Sequence, residues 1–319
     1  MKTHTSRRQR GLSLVELMVA MTISLILLAG VIQIFLGSKQ SYRVNENMSR
    51  IQEGGRFAME FMARDIRMAG YQGCPSMETV IPNIIADPAP TEGFGIDTVV
   101  GGRNDVAAGT TLGGLTLDTG TDTISVQYAN PQSVTLSGNL STMNANIQLS
   151  GNPAGWIAND VLFITDCTAI DIFRATNVSS GASGTTIAHS TARNTTNFLS
   201  KLYGTDAMVM SYGTFTYFVS GGSLYRNANA LIDGVLDMQI LYGEDTSGDK
   251  APDQYVTADA VGSWERVVAA RVSLLLVGPD NNITTTNQTV LYNGADRTVD
   301  NRRLAKVFTT TIGMRNRLP

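Results

Sequence analysis

The chain has 319 residues, of which 43% are apolar and only 16% charged. That length supplies one large domain or two small ones, and the charge falls short of the roughly one quarter carried by ordinary globular chains. A formal charge of −3, from 24 basic and 27 acidic residues, lacks the basic excess of a nucleic-acid binder.

The first charges are all basic: Lys2, Arg7, Arg8 and Arg10. They precede residues 12–36, LSLVELMVAMTISLILLAGVIQIFL, in which Glu16 is the only charge and proline is absent. A helix of this length runs about 37 Å, enough to cross a ~30 Å hydrocarbon core with some tilt. Basic residues before it and none immediately after it predict a cytoplasmic N-terminus and an exported body. A cleaved secretory signal would be shorter and end in a small-residue site, whereas Ala29-Gly30 lies inside the run. A plain membrane anchor explains the length but not Glu16, because a charge at mid-bilayer costs about 2.5–3.5 kcal/mol on insertion scales. Snorkelling of Glu16 to the nearby cytoplasmic edge is the simpler alternative.

Arg10-Gly11 followed by Leu12-Ser13-Leu14-Val15-Glu16-Leu17 resembles the class III signal of type IV prepilins: a short basic leader, a glycine, then an apolar helix with glutamate at its fifth position. The resemblance implies that a prepilin peptidase removes the 1–11 leader between Gly11 and Leu12. It also implies N-methylation of Leu12 and retention of 12–36 as the transmembrane half of a long helix. Leu12 stands where the family usually has phenylalanine, and Ser13 where threonine is common. The role implied for Glu16 is subunit assembly. Its carboxylate would pair with the amino terminus of a neighbouring subunit, since neither charge stays unpaired cheaply in an apolar filament core.

Helical spacing continues past Gly37. Met48, Ile51, Gly55, Ala58, Met62, Ile66 and Ala69 follow at steps of three or four, which marks residues 37–70 as an amphipathic exported half. Arg56, Glu60, Arg64, Asp65 and Arg67 include i,i+4 neighbours such as Arg56/Glu60 and Glu60/Arg64. Gly54-Gly55 permits a local bend, Gly70 is a C-cap candidate and Pro75 closes the segment. Residues 52–59 and 64–74 look like the helix end of the PilW-type minor pilins rather than a major pilin, which is usually much shorter.

From residue 71 onward the chain reads as a β-rich exported domain. Short β-branched or aromatic runs at 123–128, 161–165, 170–175, 214–219, 235–242, 267–277 and 306–312 predict strands, and Ser220-Gly221-Gly222 a hairpin turn. Residues 101–120 and 176–196, rich in Gly, Thr, Ser and Asn, read as long surface loops. The expected fold class is therefore α+β: a pilin-like fold, its long N-terminal helix packed on an antiparallel sheet, with a β-rich insertion around 80–200. Residues 234–243, 264–272 and 303–317 extend the resemblance to the C-terminal end, leaving the middle without a motif.

Two cysteines, Cys74 and Cys167, suit one disulfide in an exported chain; two buried thiols are the alternative. Asp245, Ser247, Asp249 and Asp253 sit at offsets 1, 3, 5 and 9 of one acidic segment. Alternating hard oxygens in a tight loop suit Ca2+, but neither the EF-hand glycine nor its final glutamate is in place, and an acidic hairpin turn reads equally from the same residues. No other cofactor is required. Catalysis has no support: His4 lies in the leader, His189 reads as an exposed loop residue, and phosphate-loop and metal-ligand spacings are missing. Arg302, Arg303, Arg315 and Arg317 read as solvated.

The resemblance implies a non-enzymatic minor pilin of a type IV pilus, part of a priming or tip complex that initiates assembly, in a machine serving adhesion and twitching motility. Implied partners are other minor pilins, the major pilin, a tip adhesin, the inner-membrane assembly platform and the prepilin peptidase. The implied location is the inner membrane, with a periplasmic body, and then the pilus at the cell surface. The alternatives are a minor pseudopilin of a type II secretion system, or a pilin-like module that binds a surface ligand or DNA.

Overall fold

The computed structural model describes residues 13–74, 80–88, 99–130, 132–182 and 184–317. One helix, Leu14–Met68, spans 55 residues, about 83 Å at helical rise. It runs through Gly54-Gly55 as a single element. Gly55 answers to packing, because a Cβ there would lie 2.5 Å from the Phe308 ring. The helix ends at Ala69, and Gly70 follows at φ +77°, the left-handed region that glycine enters without strain. The Gly70 N–H then bonds the Gln127 carbonyl at 2.9 Å, passing the chain directly onto a strand.

The helical stripe expected from the sequence is the buried one: Ile51, Gly55, Ala58, Met62, Ile66 and Ala69 all face inward. They share one core with Val272, Leu274 and Ile312 of a four-stranded antiparallel sheet, in the order Gln254–Val256, Val235–Glu244, Val267–Val277, Ala305–Gly313. The 161–165 and 267–277 expectations match their strands at both ends.

A second sheet is organised by Met208–Ser220, a 13-residue strand where only 214–219 was expected. Its first residues pair with Val161–Thr165 and its middle with Thr123–Ala129. Its end turns at Gly221-Gly222, both at positive φ, into Ser223–Arg226. Val209 lies in a separate core with Trp156, Leu162, Phe173 and Ile187, whereas Tyr217 and Val219 lie in the core beneath the helix. One strand therefore belongs to both the helix-backed unit and the inserted region. Within the insertion the buried Asp171 carboxylate accepts the Ser200 hydroxyl at 2.6 Å and the Tyr203 hydroxyl at 2.7 Å.

Two expected loops contain strands instead. Thr111–Leu112 pairs with Leu115–Thr116, and Asn177–Gly181 pairs with Gly184–Ala188. Asn177–Gly181 is solvent-facing along most of its length, so its polar composition conceals a strand whose partner supplies the buried Thr185 and Ile187.

Asp65, counted in the sequence among the paired charges of the helix, is buried instead. Its carboxylate accepts the Tyr128 hydroxyl at 2.8 Å, the Tyr217 hydroxyl at 2.6 Å and Arg226 Nε at 2.6 Å. The Arg226 guanidinium in turn lies 3.9 Å from the centre of the Phe215 ring. The three donors sit on three different strands, so one carboxylate ties the helix to the sheet. An i,i+4 ion pair that the helix does form, among the described residues, is Glu46/Arg50 at 2.9 Å. Asp65→Ala leaves a partly buried guanidinium and two hydroxyls without this acceptor, and should cost about 2–3 kcal/mol in urea unfolding of the detergent-solubilised protein. A loss below about 1 kcal/mol, the worth of a solvated pair, would refute this role.

Candidate functional site

The N-terminal half of the helix is exposed on every side. None of its most apolar 18-residue stretch is buried, and Leu14, Ile34 and Phe35 remain 76%, 75% and 66% exposed. The helix is long and apolar enough to cross a membrane. Amphipathic surface helices keep a polar face; an all-round apolar surface calls for lipid or other helices as its solvent. The β-rich domain takes hold only further along. Gln40 Nε2 donates to the Ile283 carbonyl at 2.7 Å, Asn47 Nδ2 to Asp280 at 3.1 Å, and Asn47 is the first buried helix residue.

Glu16 stands in the first turn of this bare segment. Ser13 is the N-cap: its hydroxyl accepts the Glu16 N–H at 3.2 Å, and Glu16 Oε2 accepts the Ser13 N–H at 3.0 Å. This reciprocal capping box satisfies two N–H groups that a helix start otherwise leaves unpaired. It also holds the carboxylate at the positive end of the helix dipole. The pattern S-x-x-E was legible in the sequence as a capping box, although Ser13 was read there only as a family variant. Gly11 and Leu12, the expected cleavage and methylation positions, lie outside the described residues, as does Pro75.

Cys74 and Cys167 are disulfide-bonded, with Cα atoms 5.4 Å apart and a sequence separation of 93. The bond joins the segment following the helix to the turn after Val161–Thr165. Closing so long a loop restricts the unfolded chain.

In the acidic segment the carboxylates turn onto their own backbone. Asp245 accepts the Gly248 N–H at 2.6 Å and the Lys250 N–H at 2.9 Å. Asp253 accepts the Thr246 N–H at 2.7 Å and the Ser247 N–H at 2.8 Å, and Asp249 accepts the Ala251 N–H at 2.9 Å. Desolvation works against the charge on Asp245, but these N–H donors hold its carboxyl below the usual range. The Thr246 hydroxyl and the Ser247 N–H do the same for Asp253. The loop is thus ordered by Asx-type turns. Among the described residues no cluster of three or more His, Cys, Asp or Glu is placed to hold a metal ion.

His189, read as an exposed loop residue, is buried. Its Nε2 lies 2.9 Å from the Ala145 carbonyl and its ring 5.5 Å from that of Phe173. Burial pushes its pKa below the ordinary value, which keeps it neutral. Its strand neighbour Ile187 carries the inserted core, which the local Ser/Thr/Ala composition concealed. Arg317, read as solvated, is also buried. It donates to the carbonyls of Trp264, Glu265 and Val267 at 2.5, 2.9 and 3.1 Å and so fastens the C-terminal turn to the start of Val267–Val277. Arg315 and Arg302 are exposed as expected, whereas Arg303 is half-buried.

Comparison with protein families places both ends of the chain. Residues 6–32 match the model of the prokaryotic N-terminal methylation motif, and residues 192–316 match that of the type IV pilus-assembly protein W. The two matches together support a PilW-type, prepilin-like protein. Its α+β architecture, one long helix with antiparallel sheets, is consistent with a pilin-like fold. The PilW match begins at residue 192, upstream of the C-terminal resemblance visible from residue 234, and takes in Met208–Ser220. No curated protein matches the chain.

The PilW-type minor pilin family is built of structural subunits, and a bare apolar helix with one carboxylate in its first turn is suited to packing rather than to catalysis. Glu16→Ala should leave the protein in the membrane at normal levels, since an apolar side chain replaces a charge, yet lower its share in sheared filaments at least tenfold. Normal incorporation of that variant would remove Glu16 from assembly.

Proposed function

We propose that this chain is a minor pilin incorporated at low copy in a priming or tip complex that initiates assembly of a type IV pilus. One observation carries the reading: a fully bare apolar helix is continuous with a helix half built firmly into a β-rich domain. Such a helix can sit in the inner membrane before assembly and in the filament core afterwards, without refolding. On this reading the N-terminus is cytoplasmic, the body periplasmic, and Gly11–Leu12 the bond cut by the prepilin peptidase before Leu12 is methylated. Glu16 would then meet the freed terminus of a neighbouring subunit. Proposed partners are other minor pilins, the major pilin, a tip adhesin and the inner-membrane assembly platform.

The reading as a minor pseudopilin of a type II secretion system draws on the same N-terminal signal. The match of residues 192–316 to a pilus-assembly protein favours the pilus. Deleting the gene and scoring both outputs separates the two. The pilus reading expects surface filaments to disappear, with type II secretion kept within twofold of the parent and piliation restored by the full-length chain. Intact piliation with lost secretion would reverse the assignment.

A further inference from the structure

The inserted region carries a recess of about 390 Å³ whose polar side chains are those of Ser137, Asn139, Ser141, Asn146 and Gln148, and no charged residue lines it. The lack of charge extends well beyond the recess. Residues 123–159 contain no Asp, Glu, Lys or Arg, and neither do residues 175–192, although 16% of the chain is charged. The loop that forms the recess is held from behind. The Leu140 N–H donates to the Tyr203 carbonyl and the Leu199 N–H to the Met143 carbonyl, both at 2.9 Å. Buried His189 places Nε2 2.9 Å from the Ala145 carbonyl, and since a carbonyl only accepts, this nitrogen donates. The Ser137 N–H bonds the Gln148 carbonyl at 2.8 Å and closes the ends of the loop. Two side-chain amides are then oriented by their oxygens. Asn139 Oδ1 accepts the Thr205 N–H at 3.2 Å, and Gln148 Oε1 accepts the Thr186 hydroxyl at 2.7 Å. Each bond uses the acceptor side of an amide and leaves its NH2 donors without a partner among the described residues. Both residues are exposed, so these donors are accessible from solvent.

We infer that this recess binds a neutral carbohydrate, whose hydroxyl and ring oxygens accept from the NH2 groups of Asn139 and Gln148 while the Ser137 and Ser141 hydroxyls complete the contacts. Fixed, uncharged donors beside hydroxyls match a ligand that is dense in oxygen and carries no charge. A phosphate or carboxylate would find no cation in the lining, and a metal ion no carboxylate. The volume falls within the ~300–1,000 Å³ of small-molecule sites. A loop already held in place by Tyr203, Leu199 and His189 keeps the ordering cost of binding low. The inference is independent of the filament reading given above.

The test uses the full-length chain in a detergent without a sugar headgroup. Saturation-transfer NMR is recorded with the methyl glycosides of glucose, galactose and mannose, with N-acetylglucosamine, and with N-acetylneuraminic acid as the anionic comparison. Asn139→Asp and Gln148→Glu keep the oxygen that Thr205 or Thr186 holds and replace only the NH2 donors. The recess predicts saturation transfer to at least one neutral sugar and a weaker response from the acid. It also predicts a several-fold rise in Kd for each single variant and at least a tenfold rise for the two together, at an unchanged unfolding midpoint. No transfer to any neutral sugar, a preference for the acid, or wild-type sugar affinity in the double variant overturns the inference. If the double variant fails to fold, Asn146→Asp decides, because its exposed side chain makes no hydrogen bond among the described residues. A several-fold loss of sugar affinity there supports the recess, and wild-type affinity overturns it. Either result leaves the filament reading in place.

Discussion

A 55-residue helix whose first half finds no apolar partner in its own chain has to find one elsewhere, and the rest of the structure is arranged around that need. Burying one large aliphatic side chain is worth about 1.5–3 kcal/mol, and more than a dozen such side chains stand exposed between Leu14 and Leu36. Lipid or neighbouring helices can supply that burial; water cannot. The β-rich domain grips the helix only from Gln40 onward and leaves the apolar half clear. Asp65, with its two tyrosines and Arg226, then ties the far end of the same helix to the sheet.

The insertion is attached without disturbing this arrangement. It grows from the first half of Met208–Ser220 and builds its own core around Phe173 and Trp156. The Cys74–Cys167 disulfide fixes it to the segment that leaves the helix. An element added at the outer end of one shared strand can vary in shape while the helix-backed unit keeps its geometry.

Much of this was legible in the sequence where one physical rule dominates. The apolar run, its single carboxylate, the inward stripe from Ile51 to Ala69 and the strand Val267–Val277 follow from hydropathy and period alone. The family resemblance at both ends was carried by Gly11 to Leu17 and by the C-terminal strands. Buried polar groups were not legible. Asp65 and Arg317 look like surface charges because their partners, Tyr128, Tyr217, Arg226 and the carbonyls of residues 264–267, are distant in sequence. His189 was misread for the same reason: Ala145 and Phe173 become its neighbours only through the fold. Local composition also hid the Asn177–Gly181 hairpin strand, whose residues are nearly all polar. In the 245–253 loop sequence spacing could not separate a cation site from a turn. The structure shows the carboxylates bonded to backbone N–H groups, which orders the loop from within.

On the function proposed above, the chain keeps its apolar helix through export and carries it into the filament. The most direct measurement is mass spectrometry of the N-terminal peptide of this protein in purified, sheared pili. The filament reading requires a peptide that begins at Leu12 with a methylated amino group and is enriched with the filaments. A chain that retains residues 1–11, or one that is processed but stays in the membrane fraction of cells that make pili, would contradict it.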